Sequence, residues 1–445
     1  MATEPISRRA FLQTAGGAAL AASLMTRTPE AKASPRSRRV AAADKVTLGI
    51  VGLAGRGFGH HFHTFSQFPD VQIGAVCDVY DRHLERAVAA TEGKAKGYKD
   101  FRKLVEQKDL DAVIVATPPH WHPLVTLAAL EAGKDVLCEK PMCRYPMEGR
   151  RMADLAAKHK RVTQVGTQIH ATPEYHKCVD IVRSGLLGKI TSVTNFCTMN
   201  DDSEGLGNPP DSDPPPGLDW EMWLGPAPKV PFNIGRFRDG MHRYFKDYVN
   251  SWLHELGPHI VDLPFWALEL GCPTGIAASG GRFATTSMAD VPDTLQVLWE
   301  FPNMTMTWNL MQANAFHFGV GGPGPGRHNG IIFHGKDGTL TIVNYGTPEV
   351  LDRNGKPITD ATYPKSVPDS PGHEREFVDA VKSRKECSCS FANHLPLHTA
   401  MNLAHIALDT GRKLHWDAAK WQVVGDKEAN AMLTPPYRSP WKLPG

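Results

Sequence analysis

The first half of the chain alternates continuous apolar runs with amphipathic stretches. Short apolar runs occupy residues 46–51, 71–79, 112–117 and 135–139, and stretches with helical spacing such as 123–132 separate them. A strand of a parallel sheet is apolar along its whole length because helices cover both faces of the sheet. The pattern therefore predicts a doubly wound α/β domain that binds its ligand at the carboxyl edge of the sheet.

The alternation changes after residues 161–168, a strand that could close this first domain. A further strand is predicted at 191–198, followed by two hairpins that turn at Pro302-Asn303 and at residues 336–338. Consecutive hairpins indicate an antiparallel sheet, so the second half is predicted to be an α+β domain. Two long loops are also predicted: a proline-rich surface loop at 206–217 and a glycine-rich loop at 319–330 that could cover a site.

Length and composition narrow the class of protein. At 445 residues the chain is too long for one ordinary core, so two domains are expected. The net charge of +2 gives no support for a nucleic-acid partner. The eight cysteines include no Cys-x-x-Cys pair, so they are predicted to be scattered buried thiols rather than zinc ligands.

The first 33 residues are predicted to be a twin-arginine export signal. Arg8 and Arg9 precede a weakly hydrophobic stretch at 14–25 that is too short to anchor the chain in a bilayer. Ala31-Lys-Ala33 offers a cleavage site for a signal peptidase. The protein would then cross to the periplasm, or be otherwise exported, already folded. The predicted segments are the signal at 1–33, a linker at 34–44, a nucleotide-binding domain at 45–168 and a second domain at 169–445.

The turn after the first strand, Gly52-Leu-Ala-Gly-Arg-Gly57, indicates a dinucleotide site. It departs from the Gly-x-Gly-x-x-Gly fingerprint at Ala54, and the neighbouring Gly55 could restore the space that a pyrophosphate needs. Asp78 ends the second strand, where a carboxylate accepts hydrogen bonds from a ribose diol; a helix cap is the alternative. Because Asp78 would repel a ribose phosphate, NAD is predicted, with NADP as the alternative.

The stretch VLCEKPM, residues 136–142, ends a buried strand on an acid, a base and a proline. Neighbouring strand residues point to opposite faces, so Glu139 and Lys140 are not expected to neutralise each other. Pro141 would fix the backbone just past them, so that both side chains leave a rigid strand end. A surface lysine at a strand terminus is the alternative for Lys140.

A helix is predicted to begin at Pro258, with Gly257 as its cap. His259 would then lie in the first turn, where the macrodipole disfavours the imidazolium form. A neutral imidazole can accept a proton, and Glu255 could orient it.

Isolated histidines are more often structural than catalytic, and the chain has twenty. A histidine bonded to a backbone carbonyl is the alternative for His259, and the same alternative applies to His120 and His122. Glu255 and His259 could be two ligands of a metal ion, but no third ligand stands at a recognisable spacing from them in the sequence. No metal site is therefore predicted.

These motifs occur in the order found in the Gfo/Idh/MocA oxidoreductases, which the chain resembles over nearly all of its mature length. The motifs are Gly52–Gly57, Ala116-Thr-Pro-Pro-His-Trp-His122, Glu139-Lys-Pro141 and Glu255-Leu-Gly-Pro-His259, and those at 185–189, 410–416 and 437–441 are similar to the exported branch. The resemblance implies a Rossmann domain followed by an α+β domain with a large open, mainly antiparallel sheet. That sheet often makes the oligomer contact, so a homo-oligomer is expected.

The resemblance also implies roles for individual residues. Lys140 would touch the substrate hydroxyl and the cofactor, His259 would be its acid/base partner, and Glu255 stands where relatives commonly carry aspartate. Beside a cationic nicotinamide, Lys140 is expected to have a lowered pKa. Glu139 would reach the nicotinamide ribose, and further cofactor contacts are expected from Gly52, Ala54, Gly55, Arg56, Gly57, Asp78, Thr117, Pro118, His120, His122 and Gln168. Substrate contacts are expected from His170, where relatives often carry arginine, and from Arg236 and Tyr244.

The predicted function is NAD(P)-dependent oxidation of a secondary hydroxyl of a sugar or polyol. Because the periplasm has no known free pool of nicotinamide dinucleotide, an exported enzyme would hold its cofactor tightly and regenerate it in place. The alternative is an NAD-dependent glycosidase that oxidises a hydroxyl transiently, eliminates the glycosidic group and returns the hydride. A third hypothesis is a carbohydrate-binding protein without turnover, for which Ala54 is the best argument.

Overall fold

The computed structural model describes residues 45–199, 206–313 and 328–444. The predicted export signal and linker lie outside these residues, as does most of the predicted loop at 319–330. Within the described ranges, every helix is too short or too polar to cross a bilayer.

A parallel sheet of six strands organises the first half of the molecule. Its strands are β1 (Val46–Val51), β2 (Val71–Cys77), β3 (Lys96–Tyr98), β4 (Ala112–Val115), β5 (Asp135–Glu139) and β6 (Thr163–Gly166). They lie in the order β3-β2-β1-β4-β5-β6. The direction of winding reverses between β1 and β4, where doubly wound folds bind dinucleotides. The predicted α/β domain is confirmed.

Helices cover both faces of this sheet. Alternate residues of one strand enter separate cores, Val113 and Val115 on one face and Ala112 and Ile114 on the other. The helices are a π-helical turn (Gly57–Phe62) that continues into α1 (His63–Ser66), then α2 (Asp81–Ala90), α3 (Phe101–Val105), α4 (His122–Glu131) after a 3-10 turn (Pro119–Trp121), and α5 (Pro146–His159).

The second sheet has nine described strands and is mainly antiparallel. They are β7 (Ile190–Thr198), β8 (Gly275–Gly281), β9 (Thr294–Phe301), β10 (Met304–Met311), β11 (His328–Gly335), β12 (Gly338–Val343), β13 (Glu349–Asp352), β14 (Leu414–Asp417) and β15 (Gln422–Val423). Their order is β13-β12-β11-β7-β10-β9-β8-β14-β15, and β7 with β10 is the parallel pair among them. Both predicted hairpins are confirmed as β9–β10 and β11–β12.

The two long helices near the C-terminus, at His373–Ser383 and Phe391–Thr410, pack against different sheets. Phe377 and Val381 pack into a core of the first sheet, whereas Met401 and Leu403 pack into the core of the second. The described helices of this half are α6 (Pro173–Arg183), α7 (Trp220–Leu224), α8 (Ile234–Phe237), α9 (Lys246–Val249), α10 (Trp252–Ile260), α11 (Asp262–Leu268), α12 (His373–Ser383), α13 (Phe391–Thr410) and α14 (Lys427–Ala431), with 3-10 turns at Gln168–Ala171 and Met241–Tyr244. Seven of the eight cysteines are buried, as predicted, and Cys272 is partly buried.

The predicted helix start at Pro258 is wrong. α10 begins at Trp252, and the hydroxyl of Ser251 caps it by accepting the N–H of Leu253 at 3.0 Å. Pro258 lies inside this helix and His259 lies in its last turn. The macrodipole at the C-terminal end of a helix favours a cation, so it cannot be what keeps His259 neutral.

Candidate active site

The glycine turn after β1 is tightly packed against neighbouring backbone. Gly52 has a φ of 89°, and a Cβ added to Gly57 would overlap the carbonyl oxygen of Gly52. Both positions therefore require glycine. A helical turn follows, and the N-terminus of a helix favours an anion because its first N–H groups have no partner within the helix. These features fit the pyrophosphate of the predicted dinucleotide.

Gly55, which was expected to leave space beside Ala54, faces a carboxylate. A Cβ added to Gly55 would lie 2.6 Å from Oδ2 of Asp239. The loop at 238–240 thus packs directly on the glycine turn. Sequence patterns gave no reason to connect Asp239 with this turn, because it lies almost two hundred residues further along the chain.

Asp78 connects the end of β2 to the glycine turn. Its carboxylate accepts the N–H of Leu53 at 2.7 Å and the N–H of Tyr80 at 2.9 Å. Tyr80 occupies the N-cap position of α2, so the helix-cap alternative for Asp78 is wrong. The carboxylate lies where Rossmann domains bind the adenosine ribose.

Glu139 is buried at the end of β5 and has two partners from the first helical turn. Its Oε1 accepts from Nε of Arg56 at 2.7 Å and lies 2.7 Å from Nε2 of His61. Burial alone raises the pKa of this carboxyl group, but Arg56 and His61 outweigh burial and hold the pKa well below its usual range. Burial also lowers the pKa of His61, so its imidazole is neutral and donates its Nε2–H to Glu139.

Lys140 turns away from Glu139 and pairs with Glu255. Its Nζ lies 2.8 Å from Oε1 of Glu255 and donates to the backbone carbonyl of Glu255 at 2.9 Å. Arg243 lies 3.6 Å from the same carboxylate oxygen. Because an ammonium has three N–H donors, one donor of Lys140 remains for a substrate oxygen. The strand-end residues therefore have separate partners, as predicted.

Burial has the largest effect on the pKa values of Lys140 and Glu255. It lowers the pKa of Lys140, and the carboxylate of Glu255 opposes that shift. Burial alone raises the pKa of Glu255, but Arg243 and Lys140 outweigh it and lower the pKa to about 2. The pKa of Lys140 is thus lowered, as predicted, but burial rather than a nicotinamide is the cause.

Two imidazoles lie next to the Lys140–Glu255 pair. Burial and the charge of Lys140 lower the pKa of His259 to about 3, and burial and Arg243 lower the pKa of His242 to about 3. Within the described residues, no group hydrogen-bonds the partly exposed ring of His259. A neutral, unengaged imidazole beside an ammonium can accept the proton of a hydroxyl group.

His120 and His122 have structural partners. Nδ1 of His122 lies 2.7 Å from the carbonyl of Pro141, and its Nε2 lies 2.8 Å from the carbonyl of Thr117. Nε2 of His120 lies 3.0 Å from the carbonyl of Trp223. Both side chains are buried, so the backbone-bonded alternative describes their contacts. His122 links the ends of β4 and β5, at the edge where Thr117 and Pro118 follow the fourth strand.

The remaining predicted residues are dispersed around this edge. Gln168 donates to the carbonyl of Gly166 at 3.3 Å, just after β6. His170 is buried and stacks on Trp266, with ring centroids 4.0 Å apart. Arg236 lies over the ring of Phe245 at 4.2 Å, and Tyr244 packs edge-on against Trp252. Their assignment to the substrate stays a prediction.

Sequence reasoning missed Arg243, His242 and His61. The first two lie in a short 3-10 turn without hydrophobic periodicity. His61 lies four residues beyond Gly57, on the face of the helical turn that meets β5. The pair His60-His61, which begins three residues after Gly57, was the signal that could have identified it.

Two profiles of one oxidoreductase family match the chain. The profile described as the NAD-binding Rossmann fold matches residues 46–167, and that of the C-terminal alpha/beta domain matches 174–269 and 358–443. Together they match more than half of the chain. The chain belongs to the Gfo/Idh/MocA oxidoreductase family. Its first domain is therefore an NAD-binding domain, which agrees with the glycine turn and Asp78.

Named relatives of this Gfo/Idh/MocA protein match parts of it. A glycosyl hydrolase family 109 protein of Shewanella pealeana is 27% identical over 206 residues, 42% of this chain and 44% of the relative. An inositol 2-dehydrogenase of Salmonella paratyphi B is 31% identical over 142 residues, 32% of this chain and 42% of the relative. The chain thus matches less than half the length of these relatives.

Solved structures share the Gfo/Idh/MocA fold over most of the chain. The WlbA dehydrogenase from Bordetella pertussis, in complex with NADH and UDP-GlcNAcA, has a TM-score of 0.62 at 16% identity and covers 84% of this chain and 99% of its own. Levoglucosan dehydrogenase, in complex with NADH and L-sorbose, has a TM-score of 0.62 at 16% identity with the same coverage, 84% and 99%. These similarities confirm the two-part fold.

Proposed function

We propose that this Gfo/Idh/MocA protein is an NAD-dependent oxidoreductase that oxidises a secondary hydroxyl of a sugar or polyol and retains its cofactor. The observation that carries the proposal is the Lys140–Glu255 pair beside the neutral His259, at the sheet edge that also holds the glycine turn. Inositol 2-dehydrogenase relatives support a polyol or sugar as the substrate class.

Each residue of the candidate site has its own role in the proposed oxidation. Bound NAD supplies the hydride acceptor. Lys140 donates its free N–H to the substrate oxygen, and His259 accepts the hydroxyl proton. Glu255 keeps Lys140 charged and, with Arg243, fixes its position. Glu139, held by Arg56 and His61, offers a rigid carboxylate at the place expected for the nicotinamide ribose.

A redox-neutral glycosidase is the second candidate. The relatives named as glycosyl hydrolase family 109 proteins favour it, at 27% to 28% identity. The same residues would serve, because the first step is again oxidation of a hydroxyl. A glycoside with a labelled leaving group separates the two functions, since the glycosidase releases the label without net change in cofactor redox state.

Export and oligomerisation belong to the same proposal. The twin arginines Arg8 and Arg9 support folding and cofactor loading before export. For the oligomer contact we propose the face of β10 that carries Thr305, Thr307 and Asn309, opposite the buried Met306 and Trp308. Loss of export in the double variant Arg8→Lys and Arg9→Lys would support the first point. A smaller mass in light scattering for Thr307→Arg would support the second.

The decisive experiment purifies the exported protein, denatures it and identifies the released nucleotide. Near-stoichiometric NAD or NADH supports a retained cofactor, and NADP would contradict the assignment of Asp78. Lys140→Ala then tests the chemistry: turnover should fall by about 10²- to 10⁴-fold while NAD stays bound. An empty protein that also fails to bind added NAD would exclude the enzyme and leave a binding protein.

A further inference from the structure

Three buried side chains from distant parts of the sequence meet outside the Lys140 site. His170 comes from the 3-10 turn after β6, Asp262 is the first residue of α11, and His394 lies in the first turn of α13. Their exposed fractions are 6%, 3% and 1%. One potential ligand atom from each lies within 4.8 Å of the other two.

The distances between these atoms match a tetrahedral metal site. Nε2 of His170 lies 3.3 Å from the Asp262 carboxylate, and Nε2 of His394 lies 3.7 Å from Oδ2 of Asp262. Ligand atoms about 2.1 Å from a tetrahedral ion are about 3.4 Å apart, whereas an octahedral ion would bring adjacent ligands to about 3.0 Å. The observed spacing favours the tetrahedral arrangement.

The hydrogen-bonding of the three residues is incomplete. Neither ring nitrogen of the buried His394 has a hydrogen-bond partner, and Oδ2 of Asp262 and Nδ1 of His170 also lack one among the described residues. Buried polar atoms are normally paired because an unpaired one costs about 1–3 kcal/mol. A bound cation would satisfy Nε2 of His394 and Oδ2 of Asp262, the two unpaired atoms that lie 3.7 Å from each other.

The charges also favour a cation. Asp262 is a buried carboxylate, and within the described residues no lysine or arginine lies within ion-pair distance of it. A buried carboxylate without a cationic partner is costly, and a bound cation would compensate its charge.

We propose that His170, Asp262 and His394 bind one divalent transition-metal ion of the Zn²⁺ class, with a fourth position open to water. Two imidazole nitrogens and a carboxylate oxygen are ligands that Zn²⁺ accepts. Stacking on Trp266 fixes the His170 ring. Asp262 follows His259 by three residues, so the ion holds the junction of α10 and α11 against α13 and positions His259. The site does not depend on the proposed function.

A second histidine cluster supplies a matched control. His60, His61 and Glu374 also lie within 4.8 Å of one another. Their atoms are already engaged, because His60 bonds Glu374 at 2.6 Å and His61 bonds Glu139 at 2.7 Å. We therefore expect no metal there.

The test adds Co²⁺ to chelator-treated full-length protein that circular dichroism shows to be folded. We expect one Co²⁺ per chain with the visible absorption of a tetrahedral site, displaced by Zn²⁺. His394→Gln should weaken binding by more than about 100-fold, a larger loss than outer-shell changes cause, and His60→Gln should leave it unchanged. If His394→Gln fails to fold, Asp262→Asn replaces it with the same expectation.

Several results would overturn the proposal. Folded chelator-treated protein that binds no Co²⁺ would show that the three residues are only a hydrogen-bonded group. Binding that survives in His394→Gln, or that disappears in His60→Gln, would place the ion elsewhere.

Discussion

Glu139 and Lys140 are adjacent residues whose charges pair with different segments of the chain. Strand alternation sends Glu139 to Arg56 and His61, and Lys140 to Glu255. This separation matters because a direct pair would leave neither group for a cofactor or substrate. The alternation itself was readable from the sequence, since it follows from the period of a strand. The charged partners of Glu139 and Lys140 could be predicted only in part from the sequence. A basic residue in a short turn, such as Arg243, belongs to no hydrophobic pattern that would place it. The contact of Arg243 with Glu255 is therefore known from the fold alone.

At Glu255, we predict that substitution by Gln shifts the pH dependence of turnover. Burial lowers the pKa of Lys140 and Glu255 opposes it, so removing the carboxylate lets that pKa fall further. If the ammonium form donates to the substrate, the alkaline limb of kcat/KM moves to lower pH, by about one unit or more. Glu255→Asp keeps the charge and should retain most of the wild-type profile. An unchanged or upward-shifted limb in Glu255→Gln would contradict this role.

The helix that carries Glu255 and His259 shows where local rules compete. Pro258 is a good first helical residue, yet Ser251 supplies a side-chain cap seven residues earlier and α10 starts there. The apolar stretch around Leu253 and Leu256 then packs in the core and stabilises the whole helix. Sequence rules singled out Glu255 and His259 on this helix but placed its start wrongly, because they weigh local signals and not burial.

Ser251→Ala should destabilise the protein by about 1–2 kcal/mol. The change removes the helix cap and leaves Nε2 of the buried His405 without the hydroxyl that lies 2.7 Å away. Ser251→Thr keeps the hydroxyl and should recover most of the loss. Denaturant unfolding measures the difference, and equal stability of Ser251→Ala and the wild type would show that the cap is not needed.

Two glycines of the first helical turn provide a matched pair at the cofactor site. A Cβ at Gly57 would overlap the carbonyl oxygen of Gly52, whereas a Cβ at Gly59 has no neighbour within 4 Å. Gly57→Ala should therefore weaken NAD binding by at least about tenfold, and Gly59→Ala should leave it unchanged and stabilise the helix by up to about 1 kcal/mol. Calorimetric titration of the nucleotide-free variants with NAD measures both. Equal affinity in the two variants would place the pyrophosphate away from this turn.

At the scale of the whole molecule, the two sheets were predictable because each leaves its own pattern in the sequence. Continuous apolar runs identified the parallel sheet, and hairpin turns identified the antiparallel one. The return of α12 to the first sheet was not predictable, since an apolar helix face does not specify which core it enters. The same holds for contacts between residues such as His170 and His394, which meet only when both sheets and α13 are assembled.

The many histidines buried in this assembly predict a loss of stability in mild acid. Burial lowers the pKa of His254 and of His373 to about 4, and that of His405 well below its usual range. Between pH 6.5 and 4 the unfolded chain binds protons that the folded protein does not, so the free energy of unfolding falls as the pH falls. Each such histidine removes up to about 2 kcal/mol between pH 6.5 and 5, and three together approach the total stability of a typical domain.

Thermal unfolding followed by circular dichroism should therefore show a steep fall in Tm from pH 7 to pH 5. His254→Gln replaces a buried imidazole that lies 2.6 Å from Asn402 by a neutral amide, and the fall in Tm should become smaller in this variant. His415→Gln changes an exposed histidine and should keep the wild-type slope. A Tm that stays constant over this range would mean that the buried imidazoles take up protons without cost, which their burial in α10, α12 and α13 argues against.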